Sequence, residues 1–366
     1  MSKRIVIAAG GTGGHIYPAM ELGRRLIEEH KIEVVFIAGG LTKNPWFERD
    51  KFIHHSICAG QLSGKNPVNL LRGAFQSFKG FQETRGLFKQ LNPQLVVGFG
   101  SYHSFPVLAA AQFSRIPFLL HEANSFPGRV NRLLSSSAQV TALHFPEASS
   151  RLKGKSEVVA MPLWSTFSKD FNRENAIKHY GLDPQKKTVL IFGGSQGARF
   201  LNEVCIQAIP KELQVIHLTG SVESVDTVQS YYHRQNIRAI VKCYEKEMAY
   251  AWMAADLVIG RSGAGTVAEM IEYAVPGILI PYPHAVDNHQ EHNADHVLKA
   301  KGAIKLLEKE ATIKRLSQEI NALLTENRLE TMRQALQEYK KKRPLLNLCG
   351  LVCKYLNLPT TSTLPH

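Results

Sequence analysis

Ile5-Val6-Ile7-Ala8-Ala9-Gly10-Gly11-Thr12-Gly13-Gly14-His15 runs a continuous apolar segment straight into four glycines. An apolar run without polar alternation is the pattern of a strand buried on both faces of a parallel sheet. The glycines behind it form the turn that carries such a strand into a helix, predicted over residues 18–30, with Pro18 where a helix's first turn tolerates it. The turn is not G-x-G-x-x-G, because position 16 is Ile, so the dinucleotide fingerprint fails here. Glycines and a threonine let backbone N–H groups approach an anion or a sugar, and His15 adds a titratable group to the same space. The alternative is a plain structural turn, but such a turn rarely needs four glycines.

The same rhythm continues outward. Strands are predicted at 4–9, 33–38, 94–99, 117–121 and 140–142, with helices around 18–30, 68–90, 105–114 and 128–136. It pauses at 161–171, around Pro162 and Trp164, and resumes with strands at 188–192, 214–218, 238–241, 256–259 and 278–281. Two alternating blocks of similar length predict an α/β protein of two doubly wound, Rossmann-like domains, residues 1–162 and 163–338, with a hinge near 162. Beyond them, Lys340-Lys341-Lys342-Arg343-Pro344 precedes an amphipathic stretch, Leu345, Leu348, Val352, Tyr355 and Leu356, so residues 339–366 are expected to pack back on the first domain.

The composition fits two folded cores. Of 366 residues 44% are hydrophobic, which excludes disordered and fibrous classes. The formal charge is +13 and uneven: +9 over 1–162, −1 over 163–338 and +5 over 339–366. A basic first block and tail around a neutral middle point to an anionic partner, nucleic acid or a membrane surface. No recognisable nucleic-acid reader motif occurs, and none is expected to bind. No apolar stretch reaches the roughly 18 residues of a membrane span. Lys3-Arg4 before the first apolar run imitates a signal peptide, but that run stops at glycines too early for an h-region. Five cysteines, 58, 205, 243, 349 and 353, form no C-x-x-C pair and suit a reducing cytoplasm.

Three further glycine turns follow predicted strands. Gly98-Phe99-Gly100-Ser101-Tyr102 reads equally as a structural turn or a ligand loop. Gly193-Gly194-Ser195-Gln196-Gly197-Ala198 opens a helix whose amides, with the Ser195 hydroxyl, suit a phosphate. Gly263-Ala264-Gly265-Thr266-Val267-Ala268 fits the G-x-G-x-x-A variant of the dinucleotide fingerprint, though late in its domain, and favours a rival oxidoreductase reading. Glu269, one turn on, is either an acceptor for a ribose diol or a favourable acid in a helix's first turn. His289, His292 and His296 share a helical face around Gln290, as a polar ligand edge, a solvated face or, least, a metal site, since the spacing is not H-E-x-x-H. No D-x-D occurs, so neither a metal nor another cofactor is expected.

Leu70, Leu71, Ala74, Phe75, Phe78, Phe81 and Phe88 follow helical spacing among Lys65, Arg72, Lys79, Arg85 and Lys89. Gly73 and Gly80 each cost about 1 kcal/mol of helix propensity against Ala, so this helix needs a surface to hold it. Either it faces the core, or it lies in a membrane interface with Phe75 and Phe78 among acyl chains and Arg72 and Lys79 on anionic headgroups.

Six motifs in order carry a family resemblance: Gly10 to His15, Gly98 to Tyr102, His121-Glu122-Ala123-Asn124, Gly193 to Ala198, Arg261-Ser262-Gly263-Ala264, and His289-Gln290 with Asn293-Ala294. Over roughly residues 3–340 the chain resembles the MurG-type N-acetylglucosaminyltransferases of peptidoglycan synthesis. That resemblance implies a GT-B fold, two domains facing a cleft, and an inverting transfer from UDP-N-acetylglucosamine to the C4 hydroxyl of the muramyl sugar of undecaprenyl-linked lipid I, giving lipid II. It implies a peripheral position on the cytoplasmic face of the anionic inner membrane. It places the donor in the second domain and the acceptor in the first. Thr12, Gly13, Gly14, Asn124, Ser195, Ala264, Gly265, Thr266, Glu269 and Gln290 fall on the donor, and Gly100, Ser101, Tyr102 and Glu122 on the acceptor side. His15 is the candidate base. With no metal, amides and a helix end are left to meet the leaving diphosphate.

Two positions depart from the family pattern. The hinge reads Met161-Pro162-Leu163-Trp164 where the family commonly carries Asn-Pro-Val-Arg, so Trp164 lacks the charge its Arg brings to the diphosphate. Glu245 stands where an apolar residue usually offers its backbone to the base, a contact that tolerates the change. The rivals are another glycolipid transferase or a UDP-sugar epimerase of the same fold, and a dinucleotide-dependent oxidoreductase.

Overall fold

A computed structural model describes residues 3–61, 66–163, 172–194, 197–325, 327–343 and 346–358. Ser195, Trp164, Lys65 and Leu345 lie outside these residues. The chain forms two compact units, Met1–Trp164 with Pro344–His366, and Ser165–Arg343.

In the first unit seven parallel strands, β1 (Arg4–Ala8), β2 (Glu33–Gly39), β3 (Ile53–Ile57), β4 (Leu95–Gly98), β5 (Phe118–Glu122), β6 (Val140–Leu143) and β7 (Ser156–Val158), lie in the order β3-β2-β1-β4-β5-β6-β7. Helices α1 (Gly13–His30), α2 (Pro67–Leu91), α3 (Phe105–Phe113) and α4 (Arg129–Leu134) alternate with them. Every residue of β1 from Ile5 to Ala8 is buried. Strand alternation splits it between two cores: Ile5 and Ile7 pack with Ile16 and Met20 of α1, Val6 and Ala8 with Phe88 of α2 and Val107 and Leu108 of α3. α1 begins at Gly13 instead of near 18, so Pro18 lies inside the helix and not in its first turn. There the proline denies the Gly14 carbonyl its usual helical partner.

The glycines of α2 explain themselves against the segment that follows β3. A Cβ on Gly80 would run into the Cys58 carbonyl oxygen, and one on Gly60 into that of Gly73. Gly73, Ser77, Gly80, Thr84 and Phe88 form the buried face. A small-residue face lets the helix backbone sit against the neighbouring chain, so the propensity cost is offset by close packing.

The second unit repeats the plan after α5 (Arg173–Tyr180). Its strands β8 (Thr188–Phe192), β9 (Gln214–Leu218), β10 (Ala239–Lys242), β11 (Leu257–Gly260), β12 (Gly277–Leu279) and β13 (Ala303–Lys305) are parallel in the order β10-β9-β8-β11-β12-β13. Helices α6 (Arg199–Ala208), α7 (Val225–Arg234), α8 (Met248–Ala254), α9 (Ala264–Tyr273), α10 (His289–Lys299), α11 (Ile313–Leu324) and α12 (Arg328–Lys341) cover it. The last helix, α13 (Leu348–Tyr355), belongs to the first unit, where Leu348, Leu351, Val352 and Leu356 enter the α1 core. Each sheet reverses its winding once, between β1 and β4 and between β8 and β11. Ligands bind beyond the carboxyl ends of strands at such a switch point.

Candidate active site

The four glycine turns form two pairs, one at each switch point. In the first unit Ala8 pairs with Gly98, so the turns after β1 and β4 leave the sheet side by side. Their contact requires glycine: a Cβ on Gly10 would lie 2.5 Å from the His103 Cβ, and one on Gly11 would meet His103 and the Ser101 hydroxyl. Gly11 and Gly100 have φ of +89° and +78°, and Ser101, at +69°, holds the same left-handed conformation without glycine's licence. Asn44 Nδ2 donates to the Gly11 carbonyl at 2.7 Å, pinning the turn from β2's side.

His15 stands at the start of α1, its Nδ1 3.4 Å from Thr12 Oγ1. Thr12 and Gly14 are exposed, Gly13 is buried, and His15 is half-buried. Behind them His121 is buried, and burial first, then the charge of His15, pushes its pKa down to about 3. It is therefore held neutral behind the turn. His103, its ring centroid 3.9 Å from that of Tyr102 and tilted 31° to it, is wedged among the glycines, and burial lowers its pKa. No motif along the chain singles out His103, because only the adjacency of β1, β2 and β4 brings it onto Gly10, Gly11 and Gly39.

Glu122, an acceptor-side candidate, ends β5 and is buried. It is 3% exposed, and its carboxylate accepts 2.9 Å hydrogen bonds from the Asn124 N–H, the Gly128 N–H and Asn131 Nδ2. Burial pushes its pKa up against those three donors. These bonds tie the 124–128 loop to the end of β5.

In the second unit Gly260 pairs with Phe192, which sets the turns after β8 and β11 side by side. The Gly197 N–H donates to the Gly194 carbonyl at 2.9 Å, closing the first of these turns. A Cβ on Gly197 would lie 2.5 Å from the Thr219 carbonyl oxygen. The same Thr219 carbonyl accepts Asn202 Nδ2 at 3.0 Å, and Asn202 Oδ1 meets Nε2 of the buried His217. Burial holds His217 down at about 3, so this chain is a neutral brace beneath α6.

The second turn leads into α9, which starts at Ala264 with Gly263 as its cap. The first amides of a helix have no intrahelical partner, so those of Ala264, Gly265 and Thr266 present a positive end to an anion. Gln290 ties this turn to the segment after β12: its carbonyl accepts the Ser262 hydroxyl at 2.7 Å, and its Oε1 accepts the Tyr282 N–H at 2.9 Å. Buried Arg261 donates to the Ile280 and Pro281 carbonyls at 3.1 Å and pairs with Glu308. Glu269 keeps some exposure, but the protein packed around it pushes its carboxyl up to about 7, with Trp252 alongside opposing the shift.

Glu245 turns its side chain inward. Burial works against its charge, but Lys242 at 2.7 Å, the Glu247 N–H and the Tyr180 hydroxyl prevail and leave its pKa lowered. His289 Nδ1 contacts the Val286 carbonyl at 2.8 Å and His296 bonds the Tyr339 hydroxyl. Among the described residues these histidines do not gather with His292 into a ligand set.

α2 presents a second surface. Val68, Leu71, Phe75 and Phe78 are 69%, 73%, 69% and 58% exposed, with Arg72 and Lys79 exposed between them. Phe113, 64% exposed, extends the patch through Phe81, and the Arg85 guanidinium lies 4.6 Å over its ring. Phe75 and Phe78 therefore point away from the core, whereas Phe88 and, in part, Phe81 pack into it beside the small residues of α2. No helix among the described residues is long and apolar enough to cross a membrane.

Comparison with known proteins agrees with this layout. Residues 5–142 match the glycosyltransferase family 28 N-terminal domain and 188–345 its C-terminal domain. The UDP-N-acetylglucosamine–N-acetylmuramyl-(pentapeptide) pyrophosphoryl-undecaprenol N-acetylglucosamine transferase of Protochlamydia amoebophila is 40% identical, covering 100% of this chain and 99% of the relative. The protein of that name from Desulforamulus reducens is 33% identical, covering 96% and 99%. A crystal structure of Acinetobacter baumannii MurG superposes with a TM-score of 0.75 at 26% identity, over 97% of this chain and 99% of that one. The chain belongs to glycosyltransferase family 28, among its MurG-type members.

Proposed function

We propose that this chain transfers N-acetylglucosamine from UDP-N-acetylglucosamine to the C4 hydroxyl of the muramyl sugar of undecaprenyl-linked lipid I, inverting the anomeric centre and forming lipid II. The observation that carries the reading is the pair of glycine turns at each sheet's switch point, with a histidine in the first pair and a helix N-terminus in the second. A single displacement needs a base for the attacking hydroxyl and a stabiliser for the departing diphosphate. His15 takes the proton, and Thr12, Gly13 and Gly14 line the sugar and diphosphate. Asn124, held by Glu122, contacts the transferred sugar, and Gln290 its hydroxyls. The amides of Ala264, Gly265 and Thr266, with Ser195, receive the negative charge, and Glu269 accepts the ribose hydroxyls. Gly100, Ser101 and Tyr102 border the acceptor. No step in this scheme is routed through a metal.

The acceptor is a membrane lipid, which gives the exposed face of α2 its task. Val68, Leu71, Phe75 and Phe78 enter the acyl boundary of the cytoplasmic leaflet while Arg72 and Lys79 meet anionic headgroups.

The test is turnover with UDP-N-acetylglucosamine and lipid I. Lipid II is the expected product, and His15→Ala is expected to lower kcat by about a hundredfold or more, the usual worth of a positioned base, with UDP affinity little changed. Failure to make lipid II while another lipid is glycosylated overturns the acceptor assignment. Near-normal kcat in the variant removes His15 from the chemistry.

A further inference from the structure

α1 ends at His30 and α13 packs against it, carrying Cys349 and Cys353 one turn apart on the same helical face. A ring nitrogen of His30 and the two sulfur atoms all lie within 4.8 Å of one another. Cys349 and Cys353 are 5% and 0% exposed, and His30 is half-buried. Both thiols are free. A disulfide does not suit them: on a continuous helix the i,i+4 side chains run parallel from rigidly spaced Cα atoms, far from the crossed geometry of an S–S bridge.

We propose that His30, Cys349 and Cys353 bind a thiophilic divalent cation, zinc, at the junction of the first helix and the returning tail helix. Two sulfurs and one imidazole nitrogen are the donors zinc prefers. In a tetrahedral site with bonds of roughly 2.0 to 2.3 Å, neighbouring donor atoms stand about 3.5 to 3.8 Å apart, so the present spacing closes by about 1 Å or less through side-chain rotation. The partial exposure of His30 leaves an entry path and room for a fourth donor, a water or the carboxylate of neighbouring Glu29. Charged groups facing the thiols are Glu29, Arg25 and Lys3. Arg25 is paired with Glu21 at 2.7 Å, and Lys3 donates to the Leu356 carbonyl. Binding replaces two S–H bonds by two Zn–S bonds and releases two protons to solvent. At 1.5 Å per residue the site lies about 22 Å along α1 from His15, so the ion staples the fold and takes no part in transfer.

The experiment uses the full chain, reduced and stripped of metal by chelator, then titrated with Co2+ and back-titrated with Zn2+. One equivalent of Co2+ is expected to give a thiolate-to-metal absorption band that Zn2+ abolishes, and Zn2+ is expected to raise the melting temperature. Cys349→Ser and Cys353→Ser remove the band. His30→Ala weakens binding at least tenfold with the metal-free melting temperature unchanged, which separates ligation from packing. A band that survives in both cysteine variants, absence of stoichiometric binding, or loss of two titratable thiols in metal-free air-exposed protein overturns the proposal. So does a fall in lipid II turnover of the zinc-bound protein beyond about twofold, because the site would then not be structural alone.

Discussion

In the proposed scheme Glu269 joins stability to ligand chemistry in one side chain. A carboxyl raised to about 7 from 4.5 holds its proton more tightly folded than unfolded, so its stabilising contribution is complete below about pH 4.5 and is lost as pH rises through 7. Glu269→Gln removes that loss, and chemical denaturation at pH 8 is expected to find the variant more stable than the wild type by roughly 1 to 3 kcal/mol. Binding has the opposite sense. Only the carboxylate accepts from both ribose hydroxyls, so UDP affinity measured by calorimetry is expected to tighten from about pH 6 to about pH 8. In Glu269→Gln the affinity is weaker and that portion of the pH profile is flat; an identical profile in the variant contradicts the ribose contact.

Helix α2 contains two kinds of glycine, and their substitution separates packing from propensity. Gly80→Ala drives a methyl into the Cys58 carbonyl and is expected to cost about 1 to 3 kcal/mol or more. A methyl added at Gly86 meets nothing within 4 Å, and Gly86→Ala is expected to stabilise by about 0.5 to 1 kcal/mol. Urea midpoints of the two variants moving in the same direction would refute this account. The sequence could show that α2 needs a surface, but not which side meets it, because apart from Phe88 the buried side is made of Gly73, Ser77, Gly80 and Thr84 and carries little hydrophobic signal. The long apolar strands were legible for the converse reason: β1, β4, β8 and β11 are buried on both faces. β3 offers no such signal, since Ile53-His54-His55-Ser56-Ile57 is a polar edge strand. β7 and β13, three residues each, are too short to set a pattern. The glycine motifs were readable along the chain, but their pairing, and the wedge of His103, depend on strand order. The clustering of His30 with Cys349 and Cys353 joins helices too far apart in sequence for any spacing rule.

Over the whole chain, residues 1–162 carry both a charge of +9 and the exposed apolar patch of α2, while residues 163–338 stand at −1. Flotation with vesicles containing phosphatidylglycerol is expected to recover the protein, with recovery falling as salt rises. Burying a Phe is worth about 1.5 to 3 kcal/mol, so Phe75→Ser with Phe78→Ser is expected to weaken partitioning by on the order of a hundredfold. Arg72→Gln with Lys79→Gln instead flattens the salt dependence. Equal binding to neutral and anionic vesicles would refute the electrostatic part.

The return of α13 to the first unit also orders events during synthesis. Ser165–Arg343 is continuous and complete in itself, whereas the core of the earlier unit lacks Leu348, Leu351, Val352 and Leu356 until those residues emerge from the ribosome. The half of the protein made first is therefore finished last. Through the interval its nascent α1 face stays open to chaperones, and an interruption of translation after residue 343 leaves a sound second unit attached to an unclosed first one.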